Sequence, residues 1–205
     1  NCLRQLEQRA DAVATYTRQL TEFPKGKLAP PAQYERLSTL YSDGKYQEVL
    51  DAAAQIVSPL PEYADNIYWM SAESAVAVQK VEAAVQNYRM LVDKCPESPF
   101  VKDALYRLGW LLQKQETWES AAAWFQQVAE RFPKDPLASK ALYAAGVCRS
   151  RLGQSDAALR DWTALLTQYP ESEEVAETLY QKAMEELRAK NPRAAGATLD
   201  ERTRR

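Results

Sequence analysis

The side chains that most often do chemistry are scarce in this chain. Histidine is absent, and the three cysteines are Cys2, Cys95 and Cys148. Losing histidine removes the commonest general base and the commonest metal ligand together. An odd number of widely spaced cysteines is neither a disulfide framework nor a zinc site. Cys95 reads as a buried filler and Cys148 as a packed residue within a helix. Cys2 invites comparison with a lipid-anchored cysteine at a mature N-terminus, but it sits inside a helical pattern with one residue before it. The acidic pairs Glu173–Glu174 and Glu185–Glu186 read as ordinary helix-surface charge. A glycosidase needs two carboxyl groups roughly 5 to 9.5 Å apart across a cleft, and no spacing here proposes such a pair. There is no phosphate-cradling glycine loop and no nucleophile elbow. The expectation is a protein that is not an enzyme and uses no cofactor and no metal.

What does recur is a ring. Tyr34, Trp69, Tyr106, Tyr143 and Tyr180 follow one another at intervals of 35, 37, 37 and 37. Four residues further on stand Ser38, Glu73, Trp110, Val147 and Met184, one helical turn along on the same face. If the helices stack, this register becomes an aromatic ladder. Rings give contact area at low entropic cost, and tyrosine hydroxyls can hold a peptide backbone. Two readings of the register stand: packing between neighbouring helices, or contact with a partner. On the second reading the binding residues are Tyr34, Trp69, Tyr106, Trp110, Tyr143 and Tyr180, with Trp110 and Trp69 the strongest candidates. Trp118 reads as packed and Trp124 as exposed.

The elements that must position these rings are repeated. Pro24, Pro61, Pro96, Pro133 and Pro170 are 37, 35, 37 and 37 residues apart. Phe23, Leu60, Cys95, Phe132 and Tyr169 precede them. Twelve residues before each proline stands a small residue, at Ala12, Val49, Ala84, Ala121 and Ala158. A large ring follows four residues later at Tyr16, Tyr88, Phe125 and Trp162, with Ala53 the exception. Gly109 and Gly146 lie 24 residues before their prolines, and Ala72 takes that place one unit earlier. Small residues belong where two backbones approach closely, bulky ones where the space between helices must be filled. Proline ends the second helix because its ring clashes with the preceding turn and lacks an amide donor.

The Leu108–Gly109, Ala121, Phe125, Pro133 spacing resembles the tetratricopeptide repeat, whose usual length is about 34 residues. The extra three residues fall after the proline, at Lys134–Pro136 and its equivalents. Units with "ALYRLG" opening the first helix and "RFPKDP" closing the second are most similar to those of bacterial envelope proteins. These are the outer-membrane-assembly lipoproteins of the barrel-insertion machinery and the periplasmic partners of the Tol–Pal system. The resemblance covers roughly 10–187. It implies an all-α fold: an α-solenoid of antiparallel helix pairs in a right-handed superhelix, with first helices lining a concave groove. It also implies a scaffold that binds a protein or peptide partner, placed in the periplasm or on the periplasmic face of the outer membrane. Two alternatives stay open: a cytoplasmic module of a larger regulatory or secretion protein, and an accessory domain of an enzyme. Recognition of a C-terminal chaperone tail is not expected, because Asn66, Asp103 and Lys140 do not build a two-carboxylate clamp on the corresponding face. Arg107, Lys114, Arg149 and Arg151 offer charge for an acidic segment, and a solvated surface explains them equally.

The pattern predicts about four full repeats with half-repeats at both ends, all one solenoid domain. Residues 1–24 are the second helix of a truncated unit, and repeats follow over 25–61, 62–96, 97–133 and 134–170. Residues 171–190 form a terminal capping helix without a following partner, and 191–205 a disordered tail. Within the repeats, helices are expected at 33–42 and 46–57, 62–79 and 81–94, 99–113 and 118–131, and 136–152 and 155–168. A start in mid-repeat implies a fragment of a longer protein, with any signal peptide or membrane attachment upstream. No apolar run approaches the ~18 residues of a spanning helix. A net charge of −2 over 205 residues gives a nucleic-acid or anionic-membrane partner no global electrostatic support.

Overall fold

The computed structural model describes residues 2–56 and 61–204, with side chains over 8–56, 61–201 and 203. The reading of Cys2, and the ends of the helix and repeat expected at 57–60, lie outside what is described. The described residues form eleven helices and no strand. In order they are α1 (Cys2–Glu22), α2 (Ala29–Ser42), α3 (Tyr46–Ala53), α4 (Pro61–Ala77), α5 (Val81–Lys94) and α6 (Val101–Lys114), then α7 (Trp118–Arg131), α8 (Leu137–Arg151), α9 (Ser155–Gln168), α10 (Val175–Arg188) and α11 (Pro192–Arg204). The chain divides into two compact units, Asn1–Ala104 and Leu105–Arg205, with the boundary inside α6.

In the first unit α1 packs on α2, α2 pairs with α3, α3 packs on α4, and α4 pairs with α5. The second unit repeats the scheme: α7 packs on α8, α8 pairs with α9, α9 packs on α10, and α10 pairs with α11. A second helix is therefore held between its own first helix and the next one. First helices of successive pairs also touch, α2 with α4 and α8 with α10. The predicted helical-hairpin repeat is the architecture found.

Each hairpin turns in the same way. One residue takes a left-handed backbone: Gly44 (φ 71°), Gln79 (60°), Glu116 (57°), Gly153 (72°) and Lys190 (59°). The next amide reaches back five residues, as in Lys80 to the Ala75 carbonyl (2.8 Å), Thr117 to Leu112 (2.9 Å) and Asn191 to Glu186 (2.8 Å). The left-handed residue's own amide reaches back three, as in Glu116 to Gln113 (3.0 Å). This is the Schellman ending, which satisfies carbonyls that the helix leaves open. Between one pair and the next, the extra residues after the proline form two successive turns. Asp135 donates to the Phe132 carbonyl (3.0 Å) and Ala138 to Asp135 (2.9 Å); Ser172 and Val175 do the same one repeat later (3.1 and 3.2 Å). These turns delay the first helices α6, α8 and α10, so each starts one to four residues later than the sequence pattern predicts.

The C-terminal end departs from expectation. Residues 192–204 are helix α11, not a disordered tail, and α10 is the first half of a complete hairpin, not a lone cap. Pro192 sits at the first helical position, where its fixed φ is suited and its absent amide is not needed. Ala195 is buried, as Ala84, Ala121 and Ala158 are in their second helices. The buried Thr198 hydroxyl donates to Glu186 (2.8 Å), and Lys182 reaches both Glu186 and the Thr198 hydroxyl (3.1 Å). These bonds hold α11 on α10.

Candidate partner-binding surface

In α6 and α8 the small residue of the first helix, Gly109 or Gly146, faces the ring of the second, Phe125 or Trp162. Phe125 and Trp162 are fully buried, and a Cβ built on Gly109 would stand 2.7 Å from the Phe125 ring. At about 100° per residue, the positions three before and one after that glycine lie about 60° and 100° round the same side of the helix. Tyr106 and Trp110 are therefore neighbours on one flank of α6, Tyr143 and Val147 on one flank of α8, and Tyr180 and Met184 on one flank of α10.

The register is a mixture of buried and open rings. In the first unit Tyr34 stacks on Tyr63, with ring centroids 5.0 Å apart and planes 19° from parallel. Trp69 stacks on Phe100 at 5.1 Å and meets Tyr88 edge-on at 5.7 Å. Both are half-buried and their faces are used inside the protein. In the second unit Tyr106 meets Phe125 edge-on at 5.3 Å. The Tyr143 carbonyl accepts the Trp162 indole N–H at 3.3 Å. Trp110 and Tyr180 are the open ones, 36% and 39% exposed, with Met184 beside Tyr180 at 38%. The spacing had marked Met184 without singling it out; its equivalence to Trp110 was the available signal. Trp124, expected to be exposed, is half-buried.

Charge is graded across this flank. At the N-terminal ends of the first helices, Glu174 accepts from Ser139 Oγ (2.8 Å). The Tyr106 phenol is pushed above its usual range by burial first, then by Glu174, against an opposing effect from Arg107. Burial and then Glu177 do the same to Tyr143. At the C-terminal ends stand Lys114, Arg151 and Arg188, 37 residues apart, all exposed. The Lys114 ammonium lies 5.6 Å from the Trp110 ring centroid. Arg188 donates to Glu185 Oε2 (3.1 Å) and Ser150 Oγ (3.2 Å). Cations at helix C-termini answer the helix dipole, and here they also edge the open rings.

Nothing in this arrangement resembles a reaction centre. No group of three His, Cys, Asp or Glu that could hold a metal occurs among the described residues. The Cys148 thiol is buried and raised to about 11, chiefly by that burial. Cys95 is half-buried, less enclosed than a core filler, and burial raises its thiol as well. Neither is a ready nucleophile, since the thiolate is the reactive form. No helix among the described residues is long and apolar enough to cross a membrane.

The hairpin repeat, its small-residue and ring pairing and its recurrent turn define a tetratricopeptide-type array. The tetratricopeptide repeat family model matches residues 70–136 and 106–173, which together make up half of the chain, and the protein belongs to that family. Among solved structures it is similar to MamA (AMB-1), with 13% identity over 87% of this chain and 92% of that one and a TM-score of 0.64. It is similar also to YrrB, described as a tetratricopeptide repeat protein with an unusual peptide-binding site, with 20% identity over 91% and 90% and a TM-score of 0.64. A third is a tetratricopeptide repeat protein from Parabacteroides merdae, with 18% identity over 96% and 73% and a TM-score of 0.57. At these identities the likeness is one of fold. Comparison with curated protein sequences gives no match.

Proposed function

We propose that this protein is a non-catalytic scaffold that binds a segment of a protein partner on the open first-helix flank of 105–205. The observation that carries this reading is the exposure of Trp110 on α6 and of its equivalent Met184 on α10, with Tyr180 beside Met184, bordered by cations. The exposed parts of such rings contribute little to folding, while binding hot spots are enriched in tryptophan and tyrosine. That the structurally similar YrrB is described as peptide-binding supports the same use of the fold. Tyr106 and Tyr143 then serve as the wall behind the contact residues, while Tyr34 and Trp69 are packing rings of the first unit.

The test is photocrosslinking in the source cells, with a benzophenone amino acid placed singly at Trp110, Tyr180 or Arg160, an exposed position on the second helix α9. One partner band is expected from Trp110 and Tyr180 and none from Arg160. A band from Arg160 alone would overturn the reading. The proposed compartment is the bacterial envelope, on its periplasmic side, and it rests on the resemblance of the longer repeat. Recovery of the native protein from the cytosolic fraction would replace it with the cytoplasmic alternative.

A further inference from the structure

We infer that the partner segment is a polyproline-II strand with an apolar residue at every third position and acidic residues along one neighbouring edge. The inference rests on the reading that this flank binds a partner, and goes on to name that partner's chemistry. Three rows run across the first helices of 105–205, each with one residue per repeat. The middle row is Trp110, Val147 and Met184; the row behind it is Tyr106, Tyr143 and Tyr180; the row at the helix C-termini is Lys114, Arg151 and Arg188. Each row advances by 37 residues, and so by one first helix, and α8 and α10 are in contact.

The spacing selects the conformation of whatever lies along it. Packed helices stand about 8–10 Å apart. A polyproline-II strand rises about 3.1 Å per residue with three residues per turn, so every third side chain returns to the same side about 9 Å further on. Distance and direction then both match one residue per repeat. A β-strand covers about 10 Å in three residues but turns the third side chain to the opposite face. An α-helix returns a side chain to the same face only after seven residues and about 10.5 Å, beyond the usual helix spacing, so the polyproline-II strand is the closer fit.

The charge selects the composition. One face of the strand would carry apolar residues onto the Trp110–Val147–Met184 row. A neighbouring face looks toward Lys114, Arg151 and Arg188. All three are exposed, and Arg188 remains 66% exposed in its side chain although it bonds to Glu185. The opposite edge carries Glu174 and Glu177, with Lys140 beside them. The C-terminal edge is cationic in every repeat and the opposite edge is of mixed sign, so acidic residues are favoured on the former, which also sets how the strand is rotated about its axis.

The experiment uses the full chain and fluorescence anisotropy with two labelled peptides, four Leu-Glu-Pro triplets and four Leu-Lys-Pro triplets. The glutamate peptide is expected to bind and the lysine peptide to bind at least tenfold more weakly. Lys114→Glu with Arg151→Glu should weaken the glutamate peptide about tenfold, as two exposed ion pairs allow, and should favour the lysine peptide. Trp110→Ala should weaken both, with unfolding curves showing each variant folded. Equal or tighter binding of the lysine peptide to the wild-type protein overturns the inference, as does a glutamate peptide indifferent to the double reversal. If neither peptide binds while crosslinks still form at Trp110 and Tyr180, the chemistry assigned here is wrong and the surface stands. If those crosslinks are absent too, both fail.

Discussion

Gly146 lies against the indole of Trp162 so closely that a methyl group there would stand 2.6 Å from Cε2. The same two positions, sixteen residues apart, are Leu37 with Ala53, Ala72 with Tyr88, Gly109 with Phe125 and Ala183 with Leu199 in the other hairpins. Volume is traded across the pair: an aromatic ring on the second helix faces glycine or alanine on the first, and the one large residue on a first helix, Leu37, faces Ala53. Close packing permits little else, since interiors are filled to crystal density. Gly146→Ala should therefore destabilise the protein by about 1–3 kcal/mol through overpacking, against a helix propensity that by itself favours alanine by about 1 kcal/mol. In a Trp162→Leu background the pair becomes Ala with Leu, as at 183 and 199, and the penalty should shrink by more than about 1 kcal/mol. Urea unfolding of the four proteins measures the coupling. Additive effects would mean that the two positions do not share one space.

Trp69 and Trp110 come from one aromatic pattern but should respond oppositely to truncation. Trp69 stacks on Phe100 and meets Tyr88, so Trp69→Ala removes a packed ring and should cost about 3–5 kcal/mol. Trp110 is 36% exposed with Lys114 over its face, and Trp110→Ala should change stability by less than about 1 kcal/mol. Thermal and urea unfolding of the two variants decides it. A large loss for Trp110→Ala would make that ring core and remove it from the binding surface.

Most of this fold was legible because its signals are local and repeated. The second helices at 81–94, 118–131 and 155–168 begin and end where the pattern places them, between a turn residue and a proline-marked stop. Helix α11 was misread because its ring position carries Leu199, 39% exposed, in place of an aromatic. The signal was still present, in Ala195 standing 37 residues after Ala158. The proposed binding surface was legible as a register and not as exposure. Phe100, which covers Trp69, comes from the connection before α6, and no periodicity within a helix reports such a neighbour.

Three of the five hairpin turns place a side chain where the backbone is left-handed, at Gln79, Glu116 and Lys190. A Cβ crowds the following carbonyl there, at roughly 1–2 kcal/mol per residue, and Gly44 and Gly153 avoid this in the sister turns. Glu116 is exposed, so changing it disturbs no core packing. Glu116→Gly should stabilise by about 1 kcal/mol, less whatever the freer unfolded chain takes back. The expected result is a higher urea midpoint with an unchanged slope. A lower midpoint would mean that the Glu116 side chain holds the turn by contacts worth more than its strain.

Glu185 makes the last repeat sensitive to acid. Its carboxylate is buried at the junction of α8, α9 and α10, and accepts hydrogen bonds from Ser155 (2.5 Å) and Ser150 (2.7 Å). Burial alone would raise its pKa; those hydroxyls and then Arg188 outweigh it and hold the group below the ordinary carboxylate range. A folded-state pKa below the unfolded value contributes stability that is present above the unfolded pKa and lost as pH falls through the folded one. Glu185→Gln should thus be less stable than wild type by about 2 kcal/mol near neutrality. The gap should narrow below about pH 4, where an unfolded glutamate takes up its proton. Asp161, paired with Arg149 on the neighbouring hairpin, behaves in the opposite sense. Burial raises its pKa despite the pair, so its contribution is lost as pH rises from the unfolded value, about 3.9, through the folded one. Its Oδ2 has no hydrogen-bond partner among the described residues, which agrees with a carboxylate that is costly to charge. Asp161→Asn should accordingly stay closest to wild type in acid, where the aspartate is protonated, and gain on it as pH rises toward neutrality, opposite in sign to Glu185→Gln. Unfolding free energies measured from pH 3 to 7 give both curves, and a Glu185→Gln gap that is constant with pH would show that the two serines hold the neutral and charged forms alike.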